Sequence, residues 1–215
     1  MITRKEMTRM LLKEGLLSCL ANNSFESVTV TSLCKASGIT RSTFYLHYSN
    51  IMEIVDDLVD DAIAYSKPGM VDNNNLQTIA NTLSAASNSV ALREAYDSIF
   101  DRLPLCQRII RHKKYLPLFL DEQISEYVLQ RIIGSEKDRQ GLVMAEALGI
   151  SFDVGVSVFV FLVHGLYAIN KEYKWTQSDE WLEAQKVIFE LVYHGLQSRG
   201  YRTKSVAISV PKIGK

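Results

Sequence analysis

The run Thr40-Arg41-Ser42-Thr43-Phe44-Tyr45-Leu46-His47-Tyr48 is the most informative stretch of this chain for chemistry. Arg41 carries a planar fork that can donate two parallel hydrogen bonds to O6 and N7 of guanine. Ser42 and Thr43 can donate to or accept from bases and phosphates, and Thr40 can cap a helix beside them. Tyr45, His47 and Tyr48 join a flat body to a polar tip, a shape suited to packing on sugar and phosphate. Upstream, Thr29 and Thr31 fall where a helix would begin, and there a hydroxyl and unpaired backbone N–H groups together hold a phosphate. Such chemistry reads base edges and grips a phosphodiester backbone, provided the fold presents it.

The flanking residues supply the elements. Thr29 is an N-cap for a short helix to about Ser37, because its hydroxyl can accept an orphan N–H of the first turn. Gly38 follows where a helix needs a left-handed residue to stop. Thr40 caps a second short helix through about Leu46. Leu33, Ile39 and Phe44 are apolar contacts between the two, and Cys34 is small enough for close approach. Two short helices crossing steeply at a glycine turn make a helix-turn-helix, whose second helix offers its N-terminal end to a major groove. Ahead of it, a helix over 3–21 puts Met7, Met10, Leu11, Leu17 and Leu20 on one face. Asn22-Asn23-Ser24 ends that helix, and Phe25 is an apolar anchor after the turn. A longer helix runs from Ser49 or Asn50 to about Ser66.

Charge is distributed rather than abundant. The chain of 215 residues is formally neutral, with 24 basic and 24 acidic side chains, so a generally basic nucleic-acid binder is excluded. Its first fifty residues hold six Lys and Arg against three Glu, while Glu53, Asp56, Asp57, Asp60 and Asp61 follow with no basic residue before Lys67. A basic front and an acidic helix behind it would orient the front toward a polyanion. The three cysteines, Cys19, Cys34 and Cys106, are odd in number and lack metal-ligand spacing, which fits a reduced cytoplasmic protein without a metal. The N-terminus has no signal-peptide pattern. The apolar stretch 154–163 is about half the length that spans a bilayer, and is expected as a buried helix.

Lys67-Pro68-Gly69 and Asp72-Asn73-Asn74-Asn75 mark the strongest break, so a domain boundary is placed there. The expected architecture is all-α. A helix-turn-helix domain occupies 1–50, helix four connects over 50–66, a larger helical domain covers 67–199, and a basic tail occupies 200–215. Helices are expected near 76–88, 92–102, 105–112, 115–133, 136–148, 151–173 and 179–199. Val206 to Val210 alternates as a short strand would, in a tail more consistent with mobility.

From about Met10 to Ile54 the sequence resembles the TetR family of bacterial regulators. The features that carry this are the Phe25 anchor, Thr29-Val30, Leu33-Cys34, Ser37-Gly38-Ile39-Thr40, and above all Ser42-Thr43-Phe44-Tyr45-Leu46-His47-Tyr48. The resemblance implies a DNA-facing set of Thr29, Thr31, Lys35, Thr40, Arg41, Ser42, Thr43, Tyr45, His47 and Tyr48. Two positions depart from the family pattern. Ile51 stands where a phosphate-touching Lys is common, and Cys34 where Ala is usual.

The segment from Phe159 to Ile169, followed by Trp181, Leu182, Ile188, Leu191 and Val192, is similar to the family's last two helices. These pair with their twofold mates, which implies a homodimer with Phe161, His164, Trp181, Ile188, Leu191 and Val192 at its interface. By the same resemblance the helical domain holds a small-molecule effector, helix four shifts like a pendulum on binding, and release of a double-stranded operator relieves repression. Phe100, Tyr115, Phe119, Phe152, Phe159 and Tyr167 either line an apolar effector cavity or form plain core. His164 and His194 are satisfied interior groups or a metal or pH site. The cluster Arg108, Arg111, His112, Lys113 and Lys114 is a solvated helix end or attracts an anionic effector. No cofactor motif and no nucleophile–base arrangement is present, so an enzyme is not expected. The alternative is a helical protein–protein interaction module, or an atypical family member acting as activator or co-regulator without operator release.

Overall fold

The computed structural model describes residues 3–66, 75–103, 107, 108 and 112–198. These contain ten α-helices and no strand: α1 (Arg4–Leu20), α2 (Val30–Ser37), α3 (Arg41–Tyr45), α4 (Met52–Ser66), α5 (Asn75–Ser84), α6 (Ser89–Ser98), α7 (Leu116–Leu120), α8 (Ser125–Leu148), α9 (Phe152–Glu172) and α10 (Asp179–Gln197). The expected all-α class is what the described residues adopt. Most of the expected helix over 105–112, the linker after residue 66 and the basic tail with its short strand lie outside the described residues.

The chain forms two compact units that cut across the boundary expected at residue 67. The first joins Met1–Gly69 to Pro104–Glu136 and Val163–Trp175; the second holds Met70–Leu103, Lys137–Leu162 and Thr176–Lys215. In the first unit, α1 starts with a reciprocal cap. The Thr3 hydroxyl accepts from the Glu6 amide at 3.2 Å, and the Glu6 carboxylate accepts from the Thr3 amide at 2.7 Å. Its buried face is Leu12, Leu16, Leu17 and Leu20, packed with Leu33, Phe44, Ile54, Leu58 and Leu118 in the interior of the unit. Met7, Met10 and Leu11 are exposed while Leu17 and Leu20 are buried, so the one face expected for the five is divided. The stripe that wins is set by Leu12, Gly15 and Leu16.

Gly15 is where α1 and α2 approach most closely. A Cβ there would lie 2.8 Å from the Ser37 Cβ and 3.2 Å from the Ser37 amide nitrogen. At this α1–α2 approach the small residue is Gly15, while Cys34 is buried on α2. Gly15→Ala would gain about 1 kcal/mol of helix propensity and lose about 1–3 kcal/mol to overpacking against backbone. A net loss of about 1 kcal/mol is expected, read as a lower urea midpoint; a rise in the midpoint would show that α2 yields freely.

A further correction concerns the expected helices over 115–133 and 136–148. The break falls at Asp121, not near Gly134-Ser135. The Asp121 carboxylate accepts from the amides of Gln123 at 2.9 Å and Ile124 at 3.1 Å, capping α8 and separating it from α7. α8 then runs through Gly134 and Ser135 without interruption.

In the second unit, α10 packs on α5 and α6. The Trp181 indole meets the Tyr96 ring edge-on at 5.1 Å, beside Leu83, Leu182 and Phe189. Arg93 bonds the Asp179 carboxylate at 2.7 Å, and Ser84 bonds Glu190 at 2.6 Å. α8 and α9 cross where Gly155 faces Gly141, since a Cβ on Gly155 would lie 2.3 Å from the Gly141 carbonyl oxygen. α9 is not the buried helix expected. It is long and apolar enough to cross a membrane, yet only 22% of its most apolar 18 residues are buried.

Candidate nucleic-acid interface

The geometry of α2, the turn at Gly38 and α3 arises from local sequence. Thr29 caps α2, accepting from the Ser32 amide at 3.1 Å, while the Thr29 amide donates to the Ser32 hydroxyl at 2.9 Å. Gly38 closes α2 with φ +66°, where a Cβ would be strained. Thr40 then caps α3, accepting from the Thr43 amide at 3.2 Å. Phe44 is the one residue of α3 that is fully buried, and it fixes the short helix to the body of its unit.

Around that anchor the expected contact residues separate into three groups. Thr29, Thr31, Lys35, Thr40, Arg41, Ser42 and Tyr45 are exposed. The Thr40 hydroxyl bonds those of Ser42 at 3.0 Å and Thr43 at 2.9 Å, so part of their polar capacity is already used. The Thr29 amide is likewise taken by Ser32, which removes it as a phosphate donor. Thr43 and His47 are half-buried; the Nδ1 of His47 is buried without a partner, so an outward contact from this ring would use Nε2.

Tyr48 departs from expectation. It is 3% exposed, and its hydroxyl donates to Asp57 Oδ2 at 2.5 Å. Arg9 donates to the same carboxylate, with Nε at 3.0 Å, and its guanidinium lies 4.9 Å from the Tyr48 ring centroid. Burial pushes the Asp57 carboxyl up, but the bonds from Arg9 and Tyr48 outweigh it and hold the group below its ordinary value. Burial first, and the Asp57 bond second, push the Tyr48 phenol far above its ordinary value. Tyr48 is therefore a bolt between α1, the end of α3 and α4, not a phosphate contact.

The same geometry revises the reading of charge. Lys13 pairs with Asp61 as Arg9 does with Asp57, so the acidic face of α4 neutralises α1. The basic residues exposed near the tip are Lys35 and Arg41, with Arg4 and Lys5 exposed at the start of α1. At the head of α4 the Asn50 side chain accepts from the Glu53 amide at 3.1 Å, and the Glu53 carboxylate accepts from the Ser49 amide at 2.8 Å. An acidic cap there, next to Ile51, leaves that terminus poorly suited to phosphate.

Polar ties hold this tip-bearing segment to the returning segments of its unit. Asp121 Oδ2 accepts from the Phe25 amide at 2.6 Å, Gln123 donates to Glu26 at 2.8 Å, and Lys114 pairs with Glu14 at 2.6 Å. Arg131 pairs with Asp60 at 2.7 Å, and the Tyr127 hydroxyl donates to Asp56. These contacts explain why the front of the chain clusters with α7 and the start of α8. They were not legible as pairs in the sequence, because their partners lie 71 to 100 residues apart.

The expected effector residues do not gather in one unit. Tyr115, Phe119 and Tyr167 are buried in the first; Phe100, Phe152 and Phe159 belong to the second, and Phe152 is largely exposed. Trp175, absent from the expected set, lies 5.5 Å from Phe119 and 5.3 Å from Tyr167 between ring centroids. It holds φ +59°, after Lys174 at φ +49°, a conformation that packing on two rings helps sustain. Of the expected dimer residues, Phe161 is 73% exposed and Leu191 is also exposed, whereas Ile188, Val192 and His164 are half-buried. Trp181 is buried on Tyr96 and leaves that set. Val154 and Val187 are exposed apolar residues of α9 and α10 that the expected set omitted. His164 lies 3.5 Å from Gln130, and no metal-binding cluster occurs among the described residues. No protein-family model, curated protein or solved structure matches this chain.

Proposed function

We propose that this chain is a sequence-specific DNA-binding transcriptional regulator of the TetR kind, acting as a homodimer. The observation that carries the reading is α2 and α3 joined at left-handed Gly38, with Arg41 exposed at the N-terminal end of a helix anchored through Phe44. Each protomer would put α3 into one major groove of a roughly palindromic cytoplasmic operator.

A second copy of the chain is the partner that best fits the exposed apolar residues of α9 and α10. Val154 and Phe161 on α9, and Val187 and Leu191 on α10, are exposed apolar side chains, and a twofold partner would take such side chains out of water. A bilayer fits less well, because α9 also carries His164 and the buried Asn170. The aromatic group of Phe119, Tyr167 and Trp175 supports a further part of the proposal, that a small-molecule effector releases this regulator, a repressor, from DNA. A molecule displacing those rings would disturb the unit whose ties reach Glu14, Phe25 and Asp60. To cause release it must bind the released state more tightly.

Binding to DNA recovered from a random pool tests this reading. Arg41→Ala is expected to cost about 1–3 kcal/mol of affinity and to relax base preference at one position of each half-site. Wild-type affinity in both Arg41→Ala and Tyr45→Ala would sink the assignment of the tip. Exposed Met7, Met10 and Leu11 favour a second reading, in which α1 docks a protein partner. Salt separates the two: DNA binding weakens steeply as salt rises through lost counterion release, and an apolar protein contact does not.

A further inference from the structure

We propose that Leu46 is a specificity residue that reads the C5 methyl group of a thymine in each half-site; this rests on the DNA-binding reading above. At 80% exposed, Leu46 is the most exposed large apolar side chain among the described residues. Its backbone is still helical, with φ −75° and ψ −17°, so the screw of α3 continues through it. At about 100° per residue, Leu46 stands about 200° around the helix from Phe44. Phe44 is the side chain that points into the body, with no exposed surface. Leu46 therefore points almost directly away from the protein, at the centre of the face that would meet the floor of a groove.

Its neighbours narrow what it can read. Ser42 shares that outward face, one turn earlier, but its hydroxyl already bonds Thr40 at 3.0 Å. Arg41 and Tyr45 lie together on one flank, a turn apart. The helix thus offers an arginine fork at one side and a branched apolar group at its outermost point. In the major groove the apolar feature on a base edge is the thymine methyl, and apolar side chains are the groups that meet it. An isobutyl group offers nothing to the donors and acceptors of guanine, cytosine or adenine, so burying it against them would leave those edges unsatisfied.

Replacing each thymine of the selected half-site singly with deoxyuridine, which removes only that methyl group, tests this on the full-length chain. One position per half-site is expected to weaken wild-type binding about fourfold, the effect of one buried methyl-sized group. The same replacement should be silent with Leu46→Ala, whose melting temperature should match wild type because the side chain is exposed. In a fresh selection, Leu46→Gln should shift preference at that position toward adenine. The proposal is overturned if no deoxyuridine weakens wild-type binding, or if one weakens wild type and Leu46→Ala alike. Recovery of no sequence at all would overturn the DNA-binding reading itself, and the inference with it.

Discussion

Phe44→Ala is expected to destabilise the first unit by about 3–5 kcal/mol, the cost of emptying a fully buried aromatic site. Under the proposed function, the effect on DNA binding should exceed what the stability loss alone explains. α3 is five residues long, far too short to hold itself helical. Thr40 organises its first turn, but only Phe44 is buried in the core, where its ring lies 6.3 Å from the buried Tyr48; outward it meets Tyr45 of the same helix edge-on at 5.1 Å. Truncation would leave Arg41, Ser42 and Leu46 chemically intact on a segment with no fixed axis. Binding would then carry the entropy of ordering that segment as an added cost. Trp175 lies in the first unit and Trp181 in the second, so single-tryptophan versions report the two separately. Urea unfolding should show a lowered midpoint from Trp175 in Phe44→Ala, and Phe44→Leu should recover part of it. An unchanged midpoint with wild-type DNA affinity would mean that α3 is held by something other than this ring.

What could be read from sequence follows the range of the interaction that decides each feature. Caps and the turn are local. Thr29, Gly38 and Thr40 act on amides within a few residues, and each stands in the conformation its type suggests. The all-α class is equally local, resting on helical periodicity and the absence of strand pattern. Tyr48 was misplaced because its neighbours in sequence are surface residues, while its partners, Arg9 and Asp57, come from α1 and α4. Spacing puts Met7 and Met10 on one face with Leu17 and Leu20, but a 3.6-residue period cannot choose between two adjacent stripes, and Gly15 against Ser37 chose. Asp121 looks like any loop acid until its carboxylate is seen holding three amides. Leu46 marks only a helix end in the sequence, where its direction is not legible. Only its angle from Phe44 and its exposure turn it outward.

Asp57→Ala should cost about 2–3 kcal/mol, less than a fully buried ion pair because Arg9 and Asp57 both keep some contact with water. The carboxylate joins three elements at one oxygen. Its loss strands the buried Tyr48 hydroxyl and leaves Arg9 facing α4 without its acceptor. The pH dependence has a definite sign. A carboxyl group held below its ordinary value stabilises the fold at pH values above about 4, and that contribution disappears as pH falls through the lowered value. The Tyr48 phenol, held above its ordinary value, stabilises the fold below about pH 10 and loses that contribution as pH rises toward the raised value. The difference in unfolding free energy between wild type and Asp57→Ala should therefore be flat from about pH 5 to 9 and shrink on the acid side. Asp57→Asn, which keeps an acceptor for Tyr48 but loses the charge facing Arg9, should fall between the two. Because α1, α4 and Tyr48 just past α3 meet at this one oxygen, loosening it should, under the proposed function, also lower DNA affinity while Arg41 and Leu46 remain in place. A difference that grew as the solution was acidified would show that Asp57 is held as the neutral acid, and the account of how α4 fixes the tip would fail with it.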